Sequence, residues 1–259
     1  MGRGSAEASG PGTRHRARTA MLLALAPGLR LLAARYAVEP GAAVRTACAG
    51  CGLPLRPATA AGSALLPVGR CGGCGTQLGA PPYLLEVLTV IGTGLAVLAA
   101  PSVPMGFAIG WWVACAVPLL FIDLRVHRLP DPLTGAALAG VLVLETVAAA
   151  TGGQWDALGR SVLCALAYGA GLLVPALLLG PRGLGLGDVK LVVSIAALFG
   201  WWGWGTVLGV LFLAFLGSGL VAAGLLLTRR VQRDAHIAMG PYLVGGSLAM
   251  LALLAWPMG

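Results

Sequence analysis

Two aspartates, Asp123 and Asp188, are candidates for acid–base chemistry. Asp123 ends a long apolar run in the stretch PLLFIDLRVHRLPDPLT, and Asp188 follows a glycine-rich approach in the stretch GLGLGDVKLVV. Two close carboxyl groups cannot both ionise cheaply, so they share a proton. The ionised one can activate a water that attacks a peptide carbonyl, while the protonated one donates to the carbonyl oxygen. The pair predicts aspartic peptidase chemistry, with no metal in catalysis; the alternative is that each aspartate only caps a helix end.

Four of the six cysteines form two pairs, Cys48-x-x-Cys51 and Cys71-x-x-Cys74, with 19 residues between the pairs. This spacing is typical of a zinc ribbon, in which four thiolates form a closed tetrahedral structural site. Two disulfides or a redox pair are the alternatives, and disulfides are disfavoured in the cytoplasm. We therefore predict structural zinc as a cofactor.

The elements that must position these residues are membrane helices. Of the 259 residues, 58% are hydrophobic and 10% charged, against roughly 25% charged in a soluble domain. Several apolar runs approach the ~18 residues that indicate a membrane span. We expect an all-α polytopic membrane protein, a bundle of about seven transmembrane helices with a small cytoplasmic zinc-ribbon-like insert. The candidate spans are 82–100, 104–122, 132–151, 158–179, 188–201 (the shortest), 205–227 and 240–256.

Three parts follow along the chain. Residues 1–36 are predicted to be a basic, flexible N-terminus with a short apolar segment, 20–34, which Pro27 and Arg30 interrupt. That segment is expected to be an interfacial helix or a weak span, which would be an eighth. Residues 37–80 form the four-Cys cytoplasmic domain, and residues 81–259 form the transmembrane peptidase domain.

Charge predicts the orientation. The net charge is +8, but the basic residues form no stripe interleaved with aromatics, so nucleic acid is not an expected partner. With the N-terminus in the cytoplasm, the loops 123–131, 180–187 and 228–239 are cytoplasmic. All but one of the 17 Lys and Arg residues then lie on the cytoplasmic side, as the positive-inside rule requires. Both aspartates fall on that side.

Two further carboxyl groups lie in or near apolar spans, where an ionisable group is a functional hypothesis by default. Glu86 lies near the start of the first span and is expected to reach the interface. Glu145 lies deeper, on the outer half of the third span, and a direct role for it stays open.

Three stretches resemble the motifs of type IV prepilin peptidases. The run IDLRVHRLPD, from Ile122 to Asp131 with Leu133 and Thr134 after it, is similar to the first aspartate motif of that family. The run GLGDVK, from Gly185 to Lys190, resembles the family's G-x-G-D-x-K motif. The run from Met239 to Tyr242 resembles the Phe-Gly-Pro-Tyr-like segment that opens the last helix. The three runs occur in the family's order.

This resemblance covers residues 82–259 and implies a multi-pass bacterial inner-membrane aspartyl protease of the GxGD class. Such enzymes cleave the short basic leader of prepilins and pseudopilins on the cytoplasmic side, after a glycine, so prepilin or pseudopilin substrates and membrane lipid are the implied partners. Asp123 and Asp188 match the catalytic pair, and Asp131 matches an aspartate that is common in the family's motif but is not assigned as catalytic. The matching residues around them are Gly185, Gly187, Lys190 and Pro130.

Full-length members carry a similar four-Cys cytoplasmic domain, in the part associated with N-methylation of the mature pilin from S-adenosylmethionine. This chain lacks the family's G-S-F-L-N-V-like and Arg-x-Pro runs before Cys48. S-adenosylmethionine is therefore expected only if methyltransferase activity is retained, and a bifunctional peptidase and N-methyltransferase stays an alternative. A non-enzymatic membrane scaffold or transporter is another, although a transporter would favour charges near the midplane and repeated halves.

Overall fold

The computed structural model describes residues 26–39, 41–56, 59–179, 185–228 and 238–256. The predicted flexible tail as far as residue 25 and most of the predicted loops 180–187 and 228–239 lie outside these residues. The helices are α1 (26–36), a short 3-10 helix (Ala60–Leu65), α2 (Leu84–Ala99), α3 (Val103–Val126), α4 (Asp131–Gly152), α5 (Trp155–Leu179), α6 (Leu186–Gly200), α7 (Trp204–Leu227) and α8 (Gly240–Ala255).

The predicted all-helical membrane fold is confirmed, and α2 to α8 correspond one by one to the seven candidate spans. Four of these helices, α3, α4, α5 and α7, are long and apolar enough to cross a membrane. With 15 residues, α6 rises about 22 Å at 1.5 Å per residue, less than the ~30 Å of a bilayer core. The chain is therefore a multi-pass membrane protein in which α6 is short.

The helix that carries Asp123 is α3, which is largely buried and packs against α2, α4 and α8. It begins at Ser102, whose hydroxyl oxygen accepts the amide of Met105 at 3.5 Å, an ordinary N-cap. It ends where His127 adopts a left-handed conformation with φ of +49°. The next helix starts after Pro130, which has an extended backbone with ψ of 129°, and Leu129 before it is biased away from helix by this proline. The run after Asp123 thus forms a tight turn between α3 and α4.

Small residues let neighbouring helices approach closely. At Gly246 of α8, an added Cβ would lie 2.8 Å from the Val210 carbonyl oxygen and 2.9 Å from the Ala214 amide nitrogen of α7. These are backbone atoms, which cannot swing aside as a side chain can. Glycine is therefore required for this contact, in the way that small residues serve helix packing in membranes.

Arg30, one of the two residues that interrupt the first apolar segment, is 1% exposed and joins three parts of the chain. Its guanidinium contacts both carboxylate oxygens of Glu86 on α2, at 2.5 and 2.8 Å. The expectation that Glu86 reaches the interface is therefore wrong, because burial against Arg30 satisfies its charge. The same guanidinium donates to the carbonyls of Pro67, Ala80 and Pro81 beside the second cysteine pair.

Candidate active site

Asp123 and Asp188 line the same cavity, although 65 positions separate them in the sequence. The cavity has a volume of about 270 Å³ and lies where α3 ends and where α4 and α6 begin. Its lining contains all but one of the predicted site residues outside the cysteine cluster. The lining residues are Asp123, His127, Arg128, Leu129, Asp131, Gly185, Leu186, Gly187, Asp188 and Lys190.

Asp123 lies in the last turn of α3 and is only 4% exposed. Its backbone carbonyl accepts the amide of His127 at 2.9 Å, which closes the helix end. Its side-chain Oδ2 accepts the backbone amide of Gly240, the first residue of α8, at 2.9 Å. The carboxyl group is thus held between the end of one helix and the start of another.

Asp188 lies in the first turn of α6, three residues after Gly185, which precedes the helix. The turn is closed by the Val189 amide, which donates to the Gly185 carbonyl at 3.2 Å. Among the described residues, none hydrogen-bonds the buried Oδ1 atom of Asp188. This carboxyl oxygen is therefore available to an outside group such as a substrate or a water.

The two glycines before Asp188 lie in close contacts that a side chain would disturb. A Cβ at Gly187 would lie 3.0 Å from the Leu129 Cβ, and a Cβ at Gly185 would lie 3.1 Å from the Asp188 Oδ2. The first contact brings the start of α6 against the turn after α3, and the second borders the carboxyl group itself. The G-x-G-D spacing is thus explained by packing around Asp188.

Asp131 and Lys190 form an ion pair at the edge of the cavity, with 2.6 Å between Lys190 Nζ and Asp131 Oδ1. Both side chains are mostly exposed. Pro130, the remaining motif residue, does not line the cavity; it precedes α4, where its carbonyl accepts the Thr134 amide at 3.1 Å. These residues surround the aspartate pair or shape the turn beside it.

A second groove borders the cavity and shares Asp131 and Lys190 with it. Its other lining residues are Thr134, Gly135, Leu138 and Val193, and its volume is about 300 Å³. It follows α4 and α6 away from the aspartates. An extended peptide held at the aspartates could therefore continue along a more apolar surface.

Glu145 is fully buried and lines neither of these two cavities. Its Oε2 atom lies 2.6 Å from the Ser161 hydroxyl on α5, which also contacts the Ala197 carbonyl on α6. This contact joins α4, α5 and α6 in the bundle interior. The structure thus offers Glu145 a packing role and gives no contact with the aspartate pair.

The four predicted metal ligands converge. The sulfur atoms of Cys48, Cys51, Cys71 and Cys74 all lie within 4.8 Å of one another. Each pair is followed by a glycine with φ of +71°, Gly52 and Gly75, whose amide donates to the carbonyl of the first cysteine of its pair. The two pairs thus form matching turns, and both present thiols to a common point.

The electrostatics of this cluster suit a cation. Hydrogen bonding with the side chain and backbone of Thr76 lowers the pKa of the Cys74 thiol to about 6. A thiolate is the form that binds metal. Four thiols so close together cannot all ionise unless a cation neutralises them. The donor set therefore fits zinc, which prefers four thiolates in structural sites.

Two features of the site region escape prediction from the sequence. The contact between Gly240 and Asp123 joins residues 117 positions apart, and the only signal for it is the resemblance of the run Met239 to Tyr242 to a family motif. The Arg30–Glu86 pair has a weak signal, namely one basic residue in a short apolar segment and one acidic residue at the start of a span.

This structure defines a class of protein: a membrane helix bundle with paired aspartates at its helix ends and a separate four-cysteine cluster. A family model described as the type IV leader peptidase family matches residues 107–227. A protein of Escherichia coli K12 named prepilin leader peptidase/N-methyltransferase is 34% identical over 185 residues, which is 68% of this chain and 74% of that protein. The chain therefore belongs to the type IV leader peptidase family.

Other relatives carry the same name. One from Aeromonas hydrophila is 35% identical over 198 residues, which cover 71% of this chain and 62% of the relative. One from Burkholderia pseudomallei strain K96243 is 31% identical over 219 residues, which cover 80% of this chain and 66% of the relative. The chain thus spans less than two thirds of the length of these two relatives. No solved structure matches the chain.

Proposed function

We propose that this chain is a membrane aspartic endopeptidase that cleaves the leader peptide of type IV prepilins or pseudopilins, with Asp123 and Asp188 as its catalytic pair. The observation that carries the proposal is that these two aspartates, at the ends of different helices, line one cavity. Family membership and the names of the relatives support the substrate class.

The chemistry needs a water and two carboxyl groups in opposite protonation states. The ionised carboxylate takes a proton from the water, whose oxygen bonds to the peptide carbonyl carbon. The protonated carboxyl donates to the carbonyl oxygen and stabilises the charge that develops there. When the carbon–nitrogen bond breaks, the carboxyl that took the water proton gives it to the leaving amine. The hydroxyl formed from the carbonyl oxygen returns its proton to the other carboxylate, and the pair is restored to its starting state.

Cleavage can be tested by co-expression with a prepilin, followed by measurement of the ratio of mature to unprocessed pilin. We expect Asp123→Asn and Asp188→Asn each to lower processing by at least about a hundredfold, because removal of a catalytic group typically costs that much or more. Asp156→Asn is the matched control, since Asp156 is an exposed aspartate at the start of α5. Normal processing by either of the first two variants would refute the assignment of the pair.

Methyl transfer to the new pilin N-terminus is the alternative second activity. The names of the relatives favour it, whereas the absence of the family's N-terminal runs before Cys48 argues against it. Mass spectrometry of the mature pilin from the same cells distinguishes the two cases. A pilin that is cleaved but lacks the mass of one methyl group is the result for a peptidase alone.

We also propose that the four cysteines hold one structural zinc ion. A tetrahedral site with zinc–sulfur bonds of ~2.3 Å places sulfur atoms about 3.8 Å apart. Two of the sulfur pairs here, Cys48 with Cys74 and Cys51 with Cys71, are separated by 3.6 and 3.7 Å, and all four sulfur atoms lie within 4.8 Å of one another. The cluster therefore needs only small adjustments to hold the ion, which would stabilise the segment without acting in cleavage.

The proposed location is the bacterial inner membrane, with the aspartates on the cytoplasmic side. The positive-inside charge pattern supports this orientation. The cysteine segment and the aspartates share one side of the bundle, since an Arg128 nitrogen beside Asp123 donates to the Glu39 carbonyl at 3.4 Å. Reduced thiols at that cluster also suit the cytoplasm.

A further inference from the structure

Gly240, the first residue of α8, contacts Asp123, although it belongs to neither of the two aspartate motifs. The backbone amide of Gly240 donates to Asp123 Oδ2 at 2.9 Å, and this hydrogen bond is buried. Amides in the first turn of a helix have no partner within that helix. The carboxyl group of Asp123 therefore satisfies a donor at the start of α8.

This contact favours one charge state of Asp123. A helix N-terminus carries a partial positive charge, and an amide donor bonds an ionised carboxylate more strongly than a neutral one. The side chain of His127, one turn after Asp123, lines the same cavity and adds a polar group beside it. Asp123 thus has one backbone donor that suits a negative charge and a polar ring lining the same cavity.

Asp188 lies in different surroundings. Its Oδ1 atom is buried and has no hydrogen-bond partner in the part of the chain that the structure describes. Burial of an oxygen that accepts no hydrogen bond disfavours an ionised carboxylate and favours the protonated form. A protonated Asp188 could donate to a substrate carbonyl held in the cavity.

We propose that the backbone amide of Gly240 positions Asp123 and keeps it as the ionised member of the pair, which leaves Asp188 as the proton donor. The proposal rests on the proposed peptidase function and divides the roles within that site. Asp123 then activates the water, and Gly240 is a positioning residue that acts through Asp123.

The residue must be glycine because of space. A Cβ on residue 240 would lie 2.7 Å from Asp123 Oδ2 and 3.1 Å from its Cβ and Cγ atoms. Contacts under 3.0 Å force something to shift, and Asp123 is buried in the last turn of α3. An alanine at this position therefore displaces the carboxyl group by a fraction of an ångström or more.

Three glycines of α8 provide a matched experiment with the purified full-length protein and a prepilin substrate. Gly240→Ala acts on Asp123, Gly245→Ala adds a methyl group in open space, and Gly246→Ala disturbs the contact with α7. Cleavage by the wild type establishes the peptidase function independently of these variants. The quantities to measure are kcat per folded enzyme, KM and the thermal unfolding midpoint.

We expect Gly240→Ala to lower kcat about a hundredfold, the scale of a 1 Å misplacement of a catalytic group, with KM within about twofold of the wild type. Gly245→Ala should match the wild type, and Gly246→Ala should lower the unfolding midpoint while kcat per folded enzyme is kept. A Gly240→Ala enzyme with normal kcat per folded enzyme, or with its loss confined to KM, would overturn the positioning role.

Carboxyl ¹³C NMR of aspartate-labelled protein tests the charge assignment without substrate. The two signals are identified by their loss in Asp123→Asn and Asp188→Asn. At neutral pH we expect the Asp123 signal at the position of an ionised carboxylate and the Asp188 signal at the position of a protonated carboxyl. The reverse order, or the same state for both, would overturn the division of roles.

Discussion

Lys190 and Asp131 lie beside the proposed catalytic pair, yet their surroundings differ from those of Asp123. Both side chains are mostly exposed, and they bond each other at 2.6 Å. Exposed ion pairs contribute about 0–1 kcal/mol, because water and salt screen them. Two aspartates of the same motif therefore differ in their surroundings: Asp123 is buried, whereas Asp131 is mostly exposed.

We expect Asp131→Asn to keep prepilin processing within about tenfold of the wild type and to leave the unfolding midpoint almost unchanged, because it removes only a screened surface pair. Lys190→Met should behave in the same way. Processing is measured from the ratio of mature to unprocessed pilin, and stability from thermal unfolding in detergent. If Asp131→Asn is as inactive as Asp123→Asn, then Asp131 takes part in the chemistry.

At the scale of elements, the start of α2 is joined to α1 and to the cysteine segment by one arginine. Arg30 is 1% exposed and contacts Glu86 together with the carbonyls of Pro67, Ala80 and Pro81. A buried charge that loses its partner is costly, whereas loss of both charges is much less so. The pair therefore holds α1, the start of α2 and the cysteine segment together.

The single variants Arg30→Met and Glu86→Met should each destabilise the protein by about 3–5 kcal/mol, because each leaves a buried charge unpaired. The double variant Arg30→Met/Glu86→Met should lose less than the sum of the two singles. Chemical unfolding in detergent, followed by far-UV circular dichroism, gives the free energies of unfolding for this cycle. Additive losses would show that the two side chains do not interact.

At the scale of the whole molecule, the cysteine cluster and the helix bundle are physically joined. The second cysteine pair is flanked by Pro67 and Ala80, whose carbonyls accept hydrogen bonds from Arg30. An ion in the cluster would therefore stabilise the surface against which α1 and α2 are held. Zinc is expected to act on folding rather than on the cleavage step.

Purified protein should contain about one zinc ion per chain, as four thiolates form one closed site. Cys48→Ser should lose the ion and unfold at a lower temperature, whereas Cys115→Ala, which changes a buried cysteine of α3 far from the cluster in sequence, should keep it. Metal content is measured by mass spectrometry of the acid-digested protein. A zinc content unaffected by Cys48→Ser would rule out the cluster as the zinc site.

The orientation of the whole bundle is tested with alkaline phosphatase fusions, which are active only outside the cytoplasm. A fusion after Gly153, between α4 and α5, should be active, and a fusion after Arg128, between α3 and α4, should be inactive. The reason is that basic residues concentrate in the cytoplasmic loops. The opposite pattern would place the aspartates on the outer side.

Much of the fold follows from local properties of the sequence. Apolar runs long enough to cross a bilayer predict helices, because each backbone polar group must be satisfied within the segment. All seven candidate spans are helices in the structure. The two C-x-x-C pairs are predicted as zinc ligands from their spacing, and the structure brings their four sulfur atoms together.

The sequence also determined which aspartates to consider and that they lie at helix ends, because charge is costly inside an apolar span. Only the tertiary structure decided that Asp123 is buried against the amide of Gly240, that Asp188 Oδ1 lacks a partner among the described residues, and that Arg30 binds Glu86. Each of these facts depends on how helices far apart in the chain pack. Such packing depends on side-chain shape across many residues, which local patterns do not encode.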